Sequence, residues 1–506
     1  MSDPFDVFGS DSDSEDENNQ GRNTESVEVA SSLINEANGL VQQQPITSEN
    51  TLRASPVESS LPSIQRDLVD ISNLEAVNFP WPNPLFVDDS AVAVYIIPKF
   101  GGGRAFCARK KLDPGTTVLV EEPVMEWHQD QVGRKLDLST VRFLLENDKA
   151  LNLVHWLESF HPLKSVIDQG PNEENSSDEQ LWPMMEETKN ECEELEVSEL
   201  AKLAENRKIV CRDNSAVSEA DVLRMLLCIR YNGLESGVYL YAAMLNHSCF
   251  PNCAKLRPEG DQTFSEVVTT REVQPGEILT INYCPNIMSH ASRRHHLYNQ
   301  HRFDISADVE EPFRAMELVN DELPPSAVDR VDDDSPTLRV EKSLDEFEAM
   351  LPELVGLASV DQSRKEVLKA LELSIQELCK QSEEHLSSNH LLLVRGLILH
   401  LDVCDAIRRT NELPKNALVL ILCRQVQSAY QLIDLQSQLY GPDHFDLARS
   451  HEDMYVSISE LLSRSPSHLY GLGFPGLGSF SQWSQKERES RNEHHRIKAL
   501  YAKKTR

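Results

Sequence analysis

The chain has 506 residues, with 82 acidic against 49 basic side chains and a formal charge of -33. That length exceeds one ordinary hydrophobic core, so two or three folded units joined by linkers are expected. No stretch approaches the roughly 18 apolar residues of a membrane span, the first residues are acidic where a secretory leader is basic, and the net charge argues against a surface built to grip phosphates; a soluble, intracellular protein that binds neither membrane nor nucleic acid is the expectation.

Residues 1 to 75 open on Asp11, Ser12, Asp13, Ser14, Glu15, Asp16 and Glu17 and continue through Ser, Asn, Gln and Glu without apolar periodicity. An acidic, disordered segment is predicted, with order beginning near Asn83. The run Ala91 to Ile97 reads as a buried strand, Gly101 to Gly103 as a turn and Thr116 to Val120 as a second strand after the Asp113-Pro114-Gly115 turn. This first β-rich part spans 83–128. From 129 to 225 the pattern is helical and acidic, with a polar loop from Gly170 to Asp178, and it reads as an insertion. Strands return within 226–285, where Val267 to Thr270 and Ile278 to Asn282 flank Gln274-Pro275-Gly276. The β-rich unit is therefore split in sequence.

A segment at 286–306 leads into a polar linker at 307–341, rich in Pro and Asp. Apolar stripes at 3-4-3 spacing then cover 342–464: Leu368, Leu371, Ile375 and Leu378 form one, and others run from Leu391 to Ile407, Ala417 to Leu439 and Leu447 to Leu462. Stacked antiparallel helix hairpins with a tetratricopeptide-like look are predicted, without a clean 34-residue repeat. Residues 465–506 hold a Gly- and Pro-rich loop and a basic end, Arg496 through Arg506, which reads first as a frayed polar tail and second as a nuclear-import or partner signal. The ten cysteines, at 107, 192, 211, 228, 249, 253, 284, 379, 404 and 423, include no C-x-x-C or C-x-C pair. Reduced, buried thiols and no metal site are expected.

The most informative stretch is Asn246-His247-Ser248-Cys249-Phe250-Pro251-Asn252-Cys253. Residues of these types packed so closely break helix and strand and form a tight polar loop. By itself it is equally a turn around a satisfied histidine, or part of a zinc site with His247, Cys249, Cys253 and Cys284, whose spacing matches no common one. The stretch resembles the N-H-S-C-x-P-N signature of SET-domain protein-lysine methyltransferases. Two more signatures follow the family's order: Gly276-Glu277-Ile278-Leu279-Thr280-Ile281-Asn282-Tyr283 is similar to its Gly-Glu-Glu strand ending in the catalytic tyrosine, and Gly103-Arg104-Ala105-Phe106-Cys107-Ala108 to its opening G-x-G-L-x-A.

The resemblance implies an α+β fold: a split β-rich SET domain with a helical insertion, followed by the all-α C-terminal domain. It also implies S-adenosyl-L-methionine as cofactor and protein lysine as acceptor. Asn246 and His247 inherit the cofactor role, with Gly103, Arg104 and Ala105 holding its amino-acid part. Tyr283 inherits the catalytic position. Tyr239 stands where related sequences place a channel tyrosine and reads equally as a core aromatic; Asn232 reads as a cofactor asparagine or a turn residue; Phe303 matches an aromatic that stacks on the cofactor. Among SET proteins the split domain and helical array resemble the SET-and-MYND class, stripped of its MYND finger and post-SET cysteines, since Ile305-Ser306-Ala307 stands where C-x-C belongs. Plant trithorax-related SET proteins have that look. A monomer acting in nucleus and/or cytoplasm on a basic, lysine-bearing protein segment is expected, with histone and chromatin regulation as the family's best-known case. The other reading is a non-catalytic SET-fold interaction protein that binds partners through its helices.

Overall fold

A computed structural model describes residues 68–97, 103–126, 138–161, 163–164, 188–190, 194–234, 237–256, 264–284, 287–301, 305, 336–358, 362–385, 390–409 and 413–502. These residues fall into two compact units, one of 68–283 with 296–301 and one of 284–295 with 305 onward. Among them no helix is long and apolar enough to cross a membrane.

The first unit is α+β, as the sequence implies. Strand β2, Val92–Ile97, pairs antiparallel with β3, Gly103–Ala108, in the register Tyr95 to Ala105. Strands β1, Phe86–Val87, and β4, Thr117–Glu121, join β10, Ser265–Thr269, and β9, Cys253–Leu256, in an antiparallel sheet of order β1-β4-β10-β9. Between the Val267–Leu119 and Val268–Thr117 pairs β4 carries one extra residue, Val118, a bulge that bends β4. Strand β5, Met125–Glu126, pairs with β7, Gly237–Val238, which pairs with β6, Gly233–Leu234. The remaining pair is parallel: β8, Asn246–His247, against β11, Thr280–Ile281. The polar signature is thus not loop throughout. Its first two residues are paired, because the main-chain groups of 246 and 247 find partners on β11, and the chain bends only from Ser248.

The described helices of the sequence insertion are α1, Leu138–Glu146, α2, Ala150–Leu157, α3, Glu194–Asn206, and α4, Glu219–Asn232. Helix α4 starts in a capping box, Ser218 Oγ accepting from the Asp221 N–H and Asp221 accepting from the Ser218 N–H. These helices are not an appendage. Leu144, Leu153, Phe160, Leu200 and Met225 share one core with Phe106, Leu119, Tyr239 and Val267 of the strand-rich part.

Order begins earlier than predicted. The Leu68–Glu277 and Ala76–Tyr95 bridges, and the Val69 N–H on the Gly276 carbonyl at 2.8 Å, tie 68–77 to the strands. Val69, Ile71, Leu74 and Ala76 pack on Tyr95, Ile97 and Ile278. A polar average over 1–75 hides these few apolar residues, which have a sheet edge to cover. Gly276 allows the approach: its φ of +80° suits glycine, and a Cβ there would lie 2.4 Å from the Val69 oxygen.

The second unit consists of α6, Pro336–Ala358, α7, Gln362–His385, α8, Leu391–Arg409, α9, Lys415–Tyr440, α10, Asp446–Arg464, the short α11, Pro466–Tyr470, and α12, Phe480–Tyr501. From α6 to α10 each helix packs on the next, and residues of the first three stripes, Leu368 to Ile375, Leu392 to Ile407 and Ile421, share one core with Val340, Leu344 and Leu354 of α6. Two boundaries differ from expectation. The linker ends before residue 336 rather than at 341, since Thr337, Val340 and Glu341 are buried in α6. The tail is not frayed: Ser479 caps α12, which lies along α10 with Trp483 and Ile497 fully buried and His494 Nδ1 donating to the Ala448 carbonyl at 2.8 Å. Its apolar residues are sparse among charges, so packing rather than periodicity holds the helix. Ile497→Val should lower stability by about 1 kcal/mol, read as a shift in the denaturation midpoint of the helical unit.

Candidate active site

The parallel β8–β11 pair brings two sequence signatures into one place. Thr280 faces Asn246 and Ile281 faces His247, so Tyr283, two residues past β11, arrives beside the histidine. The Tyr283 N–H donates to His247 Nδ1 at 3.1 Å, which leaves the ring proton on Nε2, 3.2 Å from Cys249 Sγ. The Tyr283 hydroxyl donates to the Leu245 carbonyl at 2.5 Å. Burial pushes the Tyr283 phenol well above its ordinary value, so it works as a neutral donor and not as a base.

A second ring closes on Tyr283. His301, the last residue of α5, His290–His301, lies 4.7 Å from the tyrosine ring centroid, with His247 at 5.3 Å. Burial lowers the His301 imidazole to about 4, in spite of a hydrogen bond to the Tyr231 backbone, so the ring is uncharged at neutral pH. Next to Tyr231, Asn232 donates to the carbonyls of His161, at 3.0 Å, and Cys228, at 2.8 Å. The Arg104 guanidinium donates to the Ser159 carbonyl and lies 5.6 Å from the Phe79 ring centroid. Arg104 and Asn232, far apart in sequence, therefore grip the same three-residue stretch, and Tyr231 and His301 continue the contacts to Tyr283.

The other predicted residues are placed as follows. Gly103 is the exposed first residue of β3. Ala105 is fully buried in extended backbone opposite Tyr95, and its methyl packs with Ile97, Cys107 and Ile278. Replacement of a family glycine at this point supplies core packing without a strained φ. Tyr239 is fully buried in the core, with Lys255 Nζ 5.5 Å from its ring centroid. Phe303 lies outside the described residues.

Sequence reasoning missed the side chains that hold the site together. Asn252, 1% exposed, donates to Glu277 Oε1 at 3.1 Å and to the Ile278 carbonyl at 2.8 Å, and accepts from the Thr280 N–H at 2.9 Å. Glu277 also pairs with Arg271 at 2.7 Å and accepts from the Gln274 N–H at 2.9 Å. One asparagine thus locks the bend after Pro251 to the strand that carries Tyr283. Asn252→Ala strips partners from buried polar groups and should cost about 2–3 kcal/mol, measured by chemical denaturation. Both residues stand inside the quoted signatures, but nothing in their spacing reveals that they bind each other.

Residues 103–284 match the family model described as SET domain, about a third of the chain, and that stretch holds β3 through β11 with Asn246, His247 and Tyr283. The SET domain-containing protein L678 of Acanthamoeba polyphaga mimivirus is 32% identical over 73 residues, 14% of this chain, and the match spans only 28% of that relative's length. Solved structures that align include the SET domain of LSMT bound to lysine and AdoHcy, at 13% identity, 69% of this chain, 92% of the other and a TM-score of 0.28. Rubisco LSMT bound to sinefungin and monomethyllysine aligns at 14% identity, 68% of this chain, 89% of the other and a TM-score of 0.27. Superpositions this loose add nothing to the domain match. The class defined by fold and site together is therefore a SET domain followed by a helical C-terminal region.

Proposed function

We propose that this chain is an S-adenosyl-L-methionine-dependent protein-lysine N-methyltransferase. The observation that carries the reading is the β8–β11 pairing, which sets Asn246 and His247 beside Tyr283 with its hydroxyl turned onto the Leu245 carbonyl. The donor set fits the cofactor: half-buried Asn246 and His247 on a strand edge, and the β3 start at Gly103 and Arg104, offer amide and carbonyl groups to a zwitterionic amino-acid moiety. When bound, S-adenosylmethionine supplies a sulfonium methyl for in-line displacement by an amine.

The chain's own residues would then orient and desolvate. A lysine ammonium must lose its proton before it attacks, and a dry aromatic surround favours the neutral amine. Tyr283, the uncharged His301 ring and the His247 ring form such a surround. The Tyr283 hydroxyl, held by Leu245, stands where it can fix the amine and methyl in line, the largest part of the task in a displacement that needs little acid or base help.

The finer readings rest on the sequence resemblance and the charge. They are a zinc-free relative of the SET-and-MYND class, close to plant trithorax-related proteins, a basic histone-like or non-histone lysine segment as acceptor, a tetratricopeptide-like helical unit, and a monomer acting in nucleus and/or cytoplasm. Incubating the full chain with methyl-labelled S-adenosylmethionine, core histones and cell extract tests the central claim. Label should enter protein lysine with the native chain and not with Tyr283→Phe. Cofactor binding without label transfer to any protein would instead favour the interaction-protein reading.

A further inference from the structure

Glu121, the last residue of β4, is 4% exposed, and its carboxylate is surrounded by main-chain donors. The Leu240 N–H reaches Oε1 at 2.9 Å, the Tyr241 N–H reaches both oxygens at 3.0 Å, and the Ala242 N–H reaches Oε2 at 2.9 Å. Three successive amides on one carboxylate form an anion nest. They open the 3₁₀ turn Ala242–Met244, where the first N–H groups have no partner within the turn.

The location gives the nest its meaning. On its N-terminal side the chain is held by β7 on β5, and Tyr239 follows. On its C-terminal side Leu245 supplies the carbonyl that accepts the Tyr283 hydroxyl, and Asn246 and His247 follow at once. Between these anchors the seven residues 239–245 must present one geometry, and Glu121 is the side chain that grips their middle. Burial outweighs the pull of the three amides and leaves its carboxyl raised to about 7. A buried carboxylate is a costly choice for stability alone, so its return must come from what it orders.

We propose that Glu121 is a positioning residue of the site, whose carboxylate sets the turn that delivers the Leu245 carbonyl, Asn246 and His247 to Tyr283. This deepens the methyltransferase reading and rests on it for its functional consequence. Glu121→Gln separates the two roles. The amide keeps the size and relieves the buried charge, so the fold should persist, but it turns an NH2 group toward the N–H donors and breaks the nest.

Hydrogen exchange by mass spectrometry on the full chain at about pH 8, where the carboxyl is ionised, should show amides 240–247 exchanging about tenfold faster in Glu121→Gln, with the β2–β3 hairpin unchanged. S-adenosylmethionine should bind about tenfold more weakly, with the thermal midpoint retained. If Glu121→Gln melts without cooperativity, Glu121→Asp, which keeps the charge on a shorter arm, carries the same measurements. Unchanged exchange at 240–247, or an increase spread evenly over the unit, overturns the proposal. If the native chain binds no S-adenosylmethionine, the methyltransferase reading falls, and the exchange comparison alone decides the role of Glu121.

Discussion

Tyr283→Phe is expected to lower methyl transfer by about 10²–10³-fold, the usual loss when one pre-aimed donor leaves a reaction site, while S-adenosylmethionine affinity changes by less than about threefold. The asymmetry follows from the geometry. The main chain of 283 holds His247 through its N–H, and that bond survives the substitution. The phenol, in contrast, reaches the Leu245 carbonyl at the point where the amine would be oriented. Because burial raises the phenol above its ordinary value, no ionisation of Tyr283 should appear in the neutral pH profile. Single-turnover transfer and calorimetric cofactor titration measure the two quantities. Equal losses in both, or no loss in transfer, would remove Tyr283 from the chemistry.

The second large effect lies in the helical unit. Glu372 on α7 is 1% exposed and accepts from His400 Nε2 of α8 at 3.0 Å and from the Arg424 guanidinium of α9 at 2.5 Å. Ser428 Oγ lies 2.9 Å from His400 Nδ1, and Cys404 Sγ is 3.7 Å from Nε2. Burial, with Glu372 adding to it, drives the Cys404 thiol well above its ordinary value, so it stays a protonated filler. Three helices are joined through one carboxylate. Glu372→Ala leaves Arg424 charged and half-buried with its acceptor gone, and should destabilise the unit by about 3–5 kcal/mol. The apolar replacement Glu372→Leu with Arg424→Met and His400→Leu should recover most of that loss. Calorimetric melting of the three proteins decides it: a single variant as stable as native would show that the network contributes nothing.

Much of the site was legible because its chemistry is written in contiguous signatures. Asn246, His247 and Tyr283 stand in motifs that carry their own order and spacing, and the fold brings them together. Arg104 and Asn232 were legible only as types, since their common hold on 159–161 depends on α2 and α4 packing side by side. Asn252 and Glu121 act through carbonyls and amides that belong to other segments, and no local pattern records such partners. The same reason explains the two ends. Residues 68–77 and α12 look polar in sequence, but each has a few apolar side chains that find a surface.

What the sequence by itself determined is the α+β class, the split strand-rich domain, the helical C-terminal region and the contiguous motifs that hold Asn246, His247 and Tyr283, because periodicity and motif spacing are local quantities. What only the tertiary structure decided is how those residues are held: the β8–β11 pairing, the Asn252–Glu277 lock, the Glu121 nest and the His301 ring on Tyr283. Each of these joins groups well separated in the chain, from 18 positions for His301 on Tyr283 to 121 for Ala242 on Glu121. Hydrogen bonding of buried polar groups is a condition on space, not on sequence neighbours, and it is met only once the core has closed.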